Sequence, residues 1–131
     1  MKYVPDTHVW IWWHMRPQQL SEAASLAIAD AALSEELLLS AISPWEFCKL
    51  LGKGMLAISC AQEWMALALD MPHLRLVPLT PRIAHRSTCL PAPFHDDPAD
   101  QIITATAREE NATIVAGDPR LRGYPHVRTL W

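Results

Sequence analysis

Asp6, Glu46, Asp97, Asp100 and Asp118 are the residues of this sequence whose type and placement can do chemistry. The densest group is His95-Asp96-Asp97-Pro98-Ala99-Asp100, which runs straight into the apolar Ile102-Ile103-Thr104-Ala105-Thr106-Ala107. Pro98 has no backbone N–H to donate and suits the first position of a helix, with Asp97 as the cap before it. The acids are thereby gathered at one helix N-terminus, ahead of residues that must be buried. Carboxylates in excess of nearby bases are what a divalent cation requires, and hard oxygen ligands favour Mg²⁺ or Mn²⁺ over zinc. Such sites activate water and stabilise the departing oxyanion in phosphodiester hydrolysis.

Each acid also has a purely structural reading. Asp6 can cap a helix after the first strand, and Glu46 can close a capping box in Ser43-Pro44-Trp45-Glu46. Asp97 is an ordinary N-cap, and Asp118 fits a Gly-Asp-Pro turn. Asp100 is harder to dismiss, because capping needs only Asp97 and a second carboxylate adds repulsion. The helix dipole offsets only ~0.3–1 kcal/mol of that. Four carboxylates meeting at one place repel one another unless something cationic lies between them.

The elements that must position these groups follow from periodicity and punctuation. Lys2 to Val4 reads as a short strand stopped by Pro5, and Thr7 to His14 as an apolar helix. Ser21 caps a helix to Ser34 on which Leu20, Ala24, Ile28 and Leu33 share roughly one face. Leu37 to Ile42 is a continuous apolar run of the kind a buried parallel strand uses. A helix from Ser43 ends near Gly52 or Gly54, and another covers Ala61 to Met71. Leu74 to Leu79 reads as a strand, Thr80-Pro81 opens a helix to about Cys89, and Pro98 opens one to about Glu110. Thr113 to Ala116 and Val127 to Leu130 are the last strands. Strands alternating with helices predict a mostly parallel sheet with helices on both faces. In such sheets ligands bind beyond the carboxyl ends of the strands, where Asp6, Glu46 and Asp118 fall and toward which Asp97 and Asp100 can face.

The 131 residues fit a single domain over 1–131. Half are hydrophobic and 19% charged, which argues against disorder. No apolar run approaches the ~20 residues of a membrane span. The start of the chain has no signal-peptide apolar region, so the expected location is the cytoplasm. Cys48, Cys60 and Cys89 are odd in number and widely spaced, which predicts buried free thiols rather than disulfides or a zinc site. The net charge of −3 counts weakly against a nucleic-acid binder, although acids pooled around a cation would present a different charge to a phosphate.

Read together, the motifs resemble those of PIN-domain ribonucleases, and more narrowly the VapC-type toxins of bacterial toxin–antitoxin pairs. Tyr3-Val4-Pro5-Asp6-Thr7-His8 with Trp12-Trp13 is similar to the first motif. Ser43-Pro44-Trp45-Glu46, with Lys49 and Gly52-Lys53-Gly54, is similar to the second. His95 to Asp100 with Ile102 to Ala107 resembles the third. Ile114-Val115-Ala116-Gly117-Asp118, with Tyr124-Pro125 and Thr129-Leu130-Trp131, resembles the fourth and the tail.

The resemblance implies a PIN-like three-layer α/β/α sandwich with a mostly parallel sheet of four to five strands. It implies a divalent-metal-dependent endoribonuclease using Mg²⁺ or Mn²⁺, with RNA as substrate, a cognate antitoxin as partner, and a homodimer. Asp6, Glu46, Asp100 and Asp118 match the four acidic site residues. Asp6, Asp100 and Asp118 would serve as metal ligands, with Asp97 as a further one. Two positions depart from the family: Gln101 stands where a basic residue is frequent, and Ala116 where Thr or Ser is frequent. A non-catalytic PIN-like binding module is the alternative that these departures would suit. A phosphoryl-transfer domain with Asp6 as nucleophile is a weaker one, since Thr-His-Val-Trp follows Asp6 without the second acid such chemistry uses.

Other groups carry less. His95 lies beside the acids but reads first as a solvated loop histidine. Thr7 reads equally as a helix-start residue and as a hydroxyl near Asp6. Trp10, Trp12 and Trp13 read as core packing with partial exposure, or as an interface. Arg82, Arg86, Arg108, Arg120 and Arg122 could guide RNA, with no single one assigned a role.

Overall fold

Short apolar runs separated by helix caps set the order of elements. A computed structural model describes residues 1–34 and 36–131. The chain runs β1 (Tyr3–Pro5), α1 (Thr7–Met15), a 3₁₀ turn at Pro17–Gln19, α2 (Glu22–Leu33), β2 (Leu37–Ser40) and α3 (Ile42–Gly52). It continues with α4 (Ala61–Leu69), β3 (Leu74–Val77), α5 (Pro81–Ser87), α6 (Pro98–Glu109), β4 (Thr113–Val115), α7 (Pro119–Arg122) and β5 (Thr129–Leu130). Five strands form one sheet in the order β3-β2-β1-β4-β5, and every pairing is parallel. The expected α/β sandwich with its mostly parallel sheet is therefore present.

The alternation of side chains along the strands explains the layers. Leu38 and Ile114 point to one face, where they pack with Ile103, Ala107 and Ile83 of α5 and α6. Leu37 and Val115 point to the other, against Val9, Ala24 and Ile28 of α1 and α2. Leu39 reaches a third cluster, with Trp10, Phe47 and Ala68. Burying each such side chain stabilises the fold by roughly 1.5–3 kcal/mol over leaving it in water. Trp10 is fully buried while Trp12 and Trp13 are partly so, which matches packing with partial exposure.

Three expectations are corrected. Ser43 and Glu46 do not form a capping box: α3 starts at Ile42, and Ser40 Oγ receives the Ile42 N–H at 3.3 Å instead. Ser43 lies inside the helix and accepts a hydrogen bond from Thr7 Oγ1 at 3.1 Å, so Glu46 has no capping task. The Gly117-Asp118-Pro119 turn is the start of a short helix, because Asp118 caps it and Pro119 has the preset backbone of a first helical residue. The cysteines are free but exposed rather than buried, since helices α5 and α6 and the sheet fill the core without them.

The strand order fixes where ligands go. The chain moves outward from β1 to β2 and β3, then crosses back to lay β4 on the other side of β1. The order of connection thus reverses between the parallel strands β1 and β4, and the crevice beyond their carboxyl ends is where open α/β sheets bind ligands. Asp6 follows β1 there, and Gly117-Asp118 follows β4.

Candidate active site

Three of the acids are held in place by capping, which uses one carboxylate oxygen and leaves the other. Asp6 Oδ1 accepts the Val9 N–H at 2.8 Å at the start of α1. Asp97 Oδ1 accepts the Asp100 N–H at 3.1 Å at the start of α6, and Asp118 Oδ1 accepts the Arg120 N–H at 2.9 Å at the start of α7. The structural and chemical readings of these residues are therefore compatible. Asp100 sits in the first turn of α6, and Glu46 lies one turn into α3.

All five acids line one cleft of about 360 Å³, together with His8, Trp12, Gly117 and Arg120. Trp131 packs against Gly117 of this cleft: a Cβ on Gly117 would lie 3.0 Å from its ring, so glycine lets the indole approach this closely. Trp12 packs against the same ring at 6.3 Å.

Burial and mutual repulsion raise three of the acids, and an arginine lowers a fourth. Asp6 is buried, and its carboxyl is pushed up from 3.8 to about 7 by desolvation, with the charges of Asp100, Glu46 and Asp118 adding to the rise against the opposing Val9 hydrogen bond. Glu46 is raised by burial and by the charges of Asp100 and Asp97. Asp100 is raised too, chiefly by burial, although its hydrogen bond to His95 pulls the other way. Asp118 alone is lowered, because the Arg120 guanidinium grips both of its oxygens, with Nη2 at 2.9 Å from Oδ2.

Two basic groups complete the arrangement. His95 Nε2 lies 2.6 Å from Asp100 Oδ2, so His95 is a partner of the acid cluster and not a solvated loop residue. Gln101, the unusual residue beside Asp100, donates from Nε2 to the His95 carbonyl at 3.3 Å and so helps fix that loop. Arg120 Nη2 also reaches to 3.9 Å from Asp100 Oδ2, bridging two of the acids. Sequence reasoning left Arg120 among scattered arginines. The available clue was its place two residues after a capping aspartate, where the backbone N–H and the side chain can both meet one carboxylate. Asp96 is exposed and Ala116 is buried.

The donor set suits a hard divalent cation. It consists of carboxylate oxygens, and a cation would offset the desolvation that chiefly raises Asp6 as well as the repulsion that adds to it. Among the described residues, no group of three or more His, Cys, Asp and Glu side chains stands already set as a metal cage. Arg120 engages oxygens of Asp118 that a cation would use.

The profile of the PIN domain matches residues 3–127. Ribonuclease VapC22 of Mycobacterium tuberculosis is 39% identical over 129 residues, covering 96% of this chain and 95% of that protein. The crystal structure of VapBC2 from Rickettsia felis bound to a promoter DNA fragment has a similar fold, with TM-score 0.72 at 14% identity over 99% of this chain and 98% of the other. FitAcB from Neisseria gonorrhoeae is similar at TM-score 0.68 and 24% identity, over 98% and 96%.

Proposed function

The chain belongs to the PIN domain family, and from that premise we propose that it is a ribonuclease, the toxin component of a toxin–antitoxin pair. The observation that carries this reading is the convergence of Asp6, Glu46, Asp97, Asp100 and Asp118, from four parts of the sequence, on one cleft at the sheet's switch point.

VapC-type nucleases are generally metal-dependent. Here Asp6, Asp100 and Asp118 would hold Mg²⁺ or Mn²⁺, with Asp97 contributing through its second oxygen. The ion would supply charge to polarise the scissile phosphate and lower the pKa of water. Glu46 has no capping duty and its proton affinity is raised, so it takes the proton of the attacking water on its carboxylate. The new bond forms between the water oxygen and phosphorus while the bond to the leaving ribose oxygen breaks, and that oxygen takes a proton from solvent water. His95 and Gln101 hold Asp100 in orientation from behind. Arg120 is placed to meet a non-bridging phosphate oxygen, a task its forked guanidinium suits.

Partner surfaces are part of the same proposal. A cleft lined by Ile11, Trp12, Met15, Leu50, Met55 and Leu56 adjoins the acid cleft through His8 and Trp12, and suits an apolar antitoxin segment. Leu26 and Leu33 are left exposed on α2, which supports pairing of two copies through early helices. No described helix is long and apolar enough to cross a membrane. Three exposed, unpaired cysteines suit the reducing cytoplasm, where we place the protein.

The test is cleavage of transfer and ribosomal RNA by the purified chain. Cleavage should require Mg²⁺ or Mn²⁺, stop in EDTA, and be abolished in Asp100→Asn with the fold intact by circular dichroism. Full activity of that variant would remove Asp100 from the mechanism. Binding without any metal-dependent cleavage would favour the non-catalytic module.

A further inference from the structure

Two further hollows follow from the acid cleft through shared lining residues. The first, about 340 Å³, runs between Phe94-His95 and Tyr124-Pro125 and shares Arg120 with the acid cleft. The second, about 390 Å³, begins at Pro125, which it shares with the first, and is walled by Arg86, Arg108, His126 and Arg128.

The far hollow reverses the sign of a chain whose net charge is −3. Arg86 shares Glu109 with Arg82, so two guanidinium groups face one carboxylate. Arg108 and Arg128 are held by neutral acceptors. Arg108 donates to the His126 carbonyl, and Arg128 Nη2 donates to the Asn111 carbonyl at 2.8 Å and to Asn111 Oδ1 at 3.1 Å. Neither pairs with a carboxylate among the described residues. Neutral acceptors fix the orientation of these side chains without cancelling their charge, which prepares them for a phosphate.

The hollow between is walled by aromatic rings that support one another. Phe94 stacks on His95 at 4.4 Å and meets the edge of Tyr124 at 4.7 Å, while Tyr124 Oη donates to the Pro91 carbonyl at 2.7 Å. Rigid apolar walls of this kind receive the unstacked bases of single-stranded RNA. Helix α6 links the two ends, carrying Asp100 in its first turn and Arg108 in its last. At 1.5 Å per residue the two lie about 12 Å apart along the axis, the span of about three to four stacked nucleotides.

We infer that this continuous path is the track of a single RNA strand. The scissile phosphate lies at the acids, a neighbouring base lies against Phe94 and His95, which the buried Tyr124 backs, and phosphates a few nucleotides away lie on Arg108 and Arg128. The inference rests on the ribonuclease reading and adds to it a remote backbone-binding subsite.

The test is the salt dependence of RNA binding, followed by fluorescence anisotropy with Mg²⁺ present and Asp100→Asn as the parent so that the strand stays intact. Two single-stranded probes are compared, one of about twelve nucleotides and one of about three, because only the longer can span the path. Arg108→Ala with Arg128→Ala should lower the log–log salt slope for the longer probe by about 1.4, equivalent to about a 25-fold loss of affinity at 0.1 M salt. The shorter probe should bind as to the parent, and the Arg108→Lys with Arg128→Lys protein should keep most of the slope. An unchanged slope for the longer probe overturns the track. So does an equal loss for both probes, or a lysine variant as weak as the alanine one, since either makes the arginines merely structural. If the wild-type chain cleaves RNA while the slope is unchanged, only the track falls; if it neither binds nor cleaves RNA, the ribonuclease reading falls with it.

Discussion

His95 Nε2 and Asp100 Oδ2 are 2.6 Å apart, and the histidine is fixed on its other side by its own neighbours. Its ring lies on Phe94, and its carbonyl receives the Gln101 amide. A carboxylate this far into a cluster of like charges is aimed by whatever donates to it, so His95 is a positioning residue for Asp100. Replacing such outer partners typically costs about 10–100-fold in metal affinity or activity. His95→Ala is expected to lose that much in Mn²⁺ affinity measured by calorimetry, with His95→Gln recovering part through its amide. Equal Mn²⁺ affinity in wild type and His95→Ala would show that Asp100 needs no such support.

Asp6 makes the metal-free fold sensitive to pH. Its carboxyl titrates at about 7 in the folded chain against an ordinary 3.8, so the folded state holds a proton that the unfolded state has released. Stability from this group is therefore fully present below about 4, falls as pH rises toward 7, and is flat above that. Glu46 and Asp100, also raised, act in the same sense, whereas Asp118 is lowered and acts only at more acidic pH. In EDTA, the urea midpoint of the wild type should drop between pH 4 and 7 more steeply than that of Asp6→Asn. Parallel curves for the two proteins would refute the assignment.

Metal binding must displace that proton, so it carries the opposite pH trend. The rise in melting temperature on adding Mn²⁺ should be larger at pH 8 than at pH 6, and EDTA should remove it at both. A rise independent of pH would place the ion away from Asp6.

Arg120 occupies oxygens that a cation would need, since it grips Asp118 and reaches toward Asp100. Arg120→Gln is expected to bind Mn²⁺ severalfold more tightly and RNA more weakly, with a salt slope smaller by about 0.7. Calorimetry and anisotropy read the two effects separately. Weaker Mn²⁺ binding in the variant would instead mean that Arg120 serves by orienting Asp118.

Phe47 is a control for stability without chemistry. It follows Glu46 on α3 but does not line the acid cleft; its ring is fully buried and stacks on Trp64 at 4.3 Å in the cluster that holds α3 and α4 to the sheet. Phe47→Ala should lower stability by about 3–5 kcal/mol. A loss under about 1 kcal/mol in denaturant titration would mean that the cluster closes over the missing ring.

Much of this molecule was legible in sequence because its information is local. Asp6, Ser21, Thr80 and Asp97 each announce a helix through a side chain that meets a backbone N–H three residues on. Leu37-Leu38-Leu39 announces a strand buried on both faces. The acids at the ends of β1 and β4 were legible as a candidate site because parallel sheets put such positions on one edge. Ser43 and Glu46 were misread, because their spacing fits a capping box and nothing local says that Ser40 and Thr7 would compete for those roles. The exposed cysteines were misread for a related reason, since the burial of Cys48 depends on which side of α3 meets the sheet, and that of Cys60 and Cys89 on how the segments flanking α4 and α5 pack.

The sequence by itself determined the order of elements, the family motifs and the supply of carboxylates, since these depend on residue type and short spacing. Only the tertiary structure decided which base meets which acid. The partnership of His95 with Asp100, the bridge of Arg120 between Asp118 and Asp100, and the packing of Trp131 against Gly117 all depend on loops brought together by the crossover from β3 back to β4. So does the arginine groove, whose members come from α5, α6 and the approach to β5. Contacts between distant segments are fixed by how the layers pack, and no periodicity along the chain encodes that.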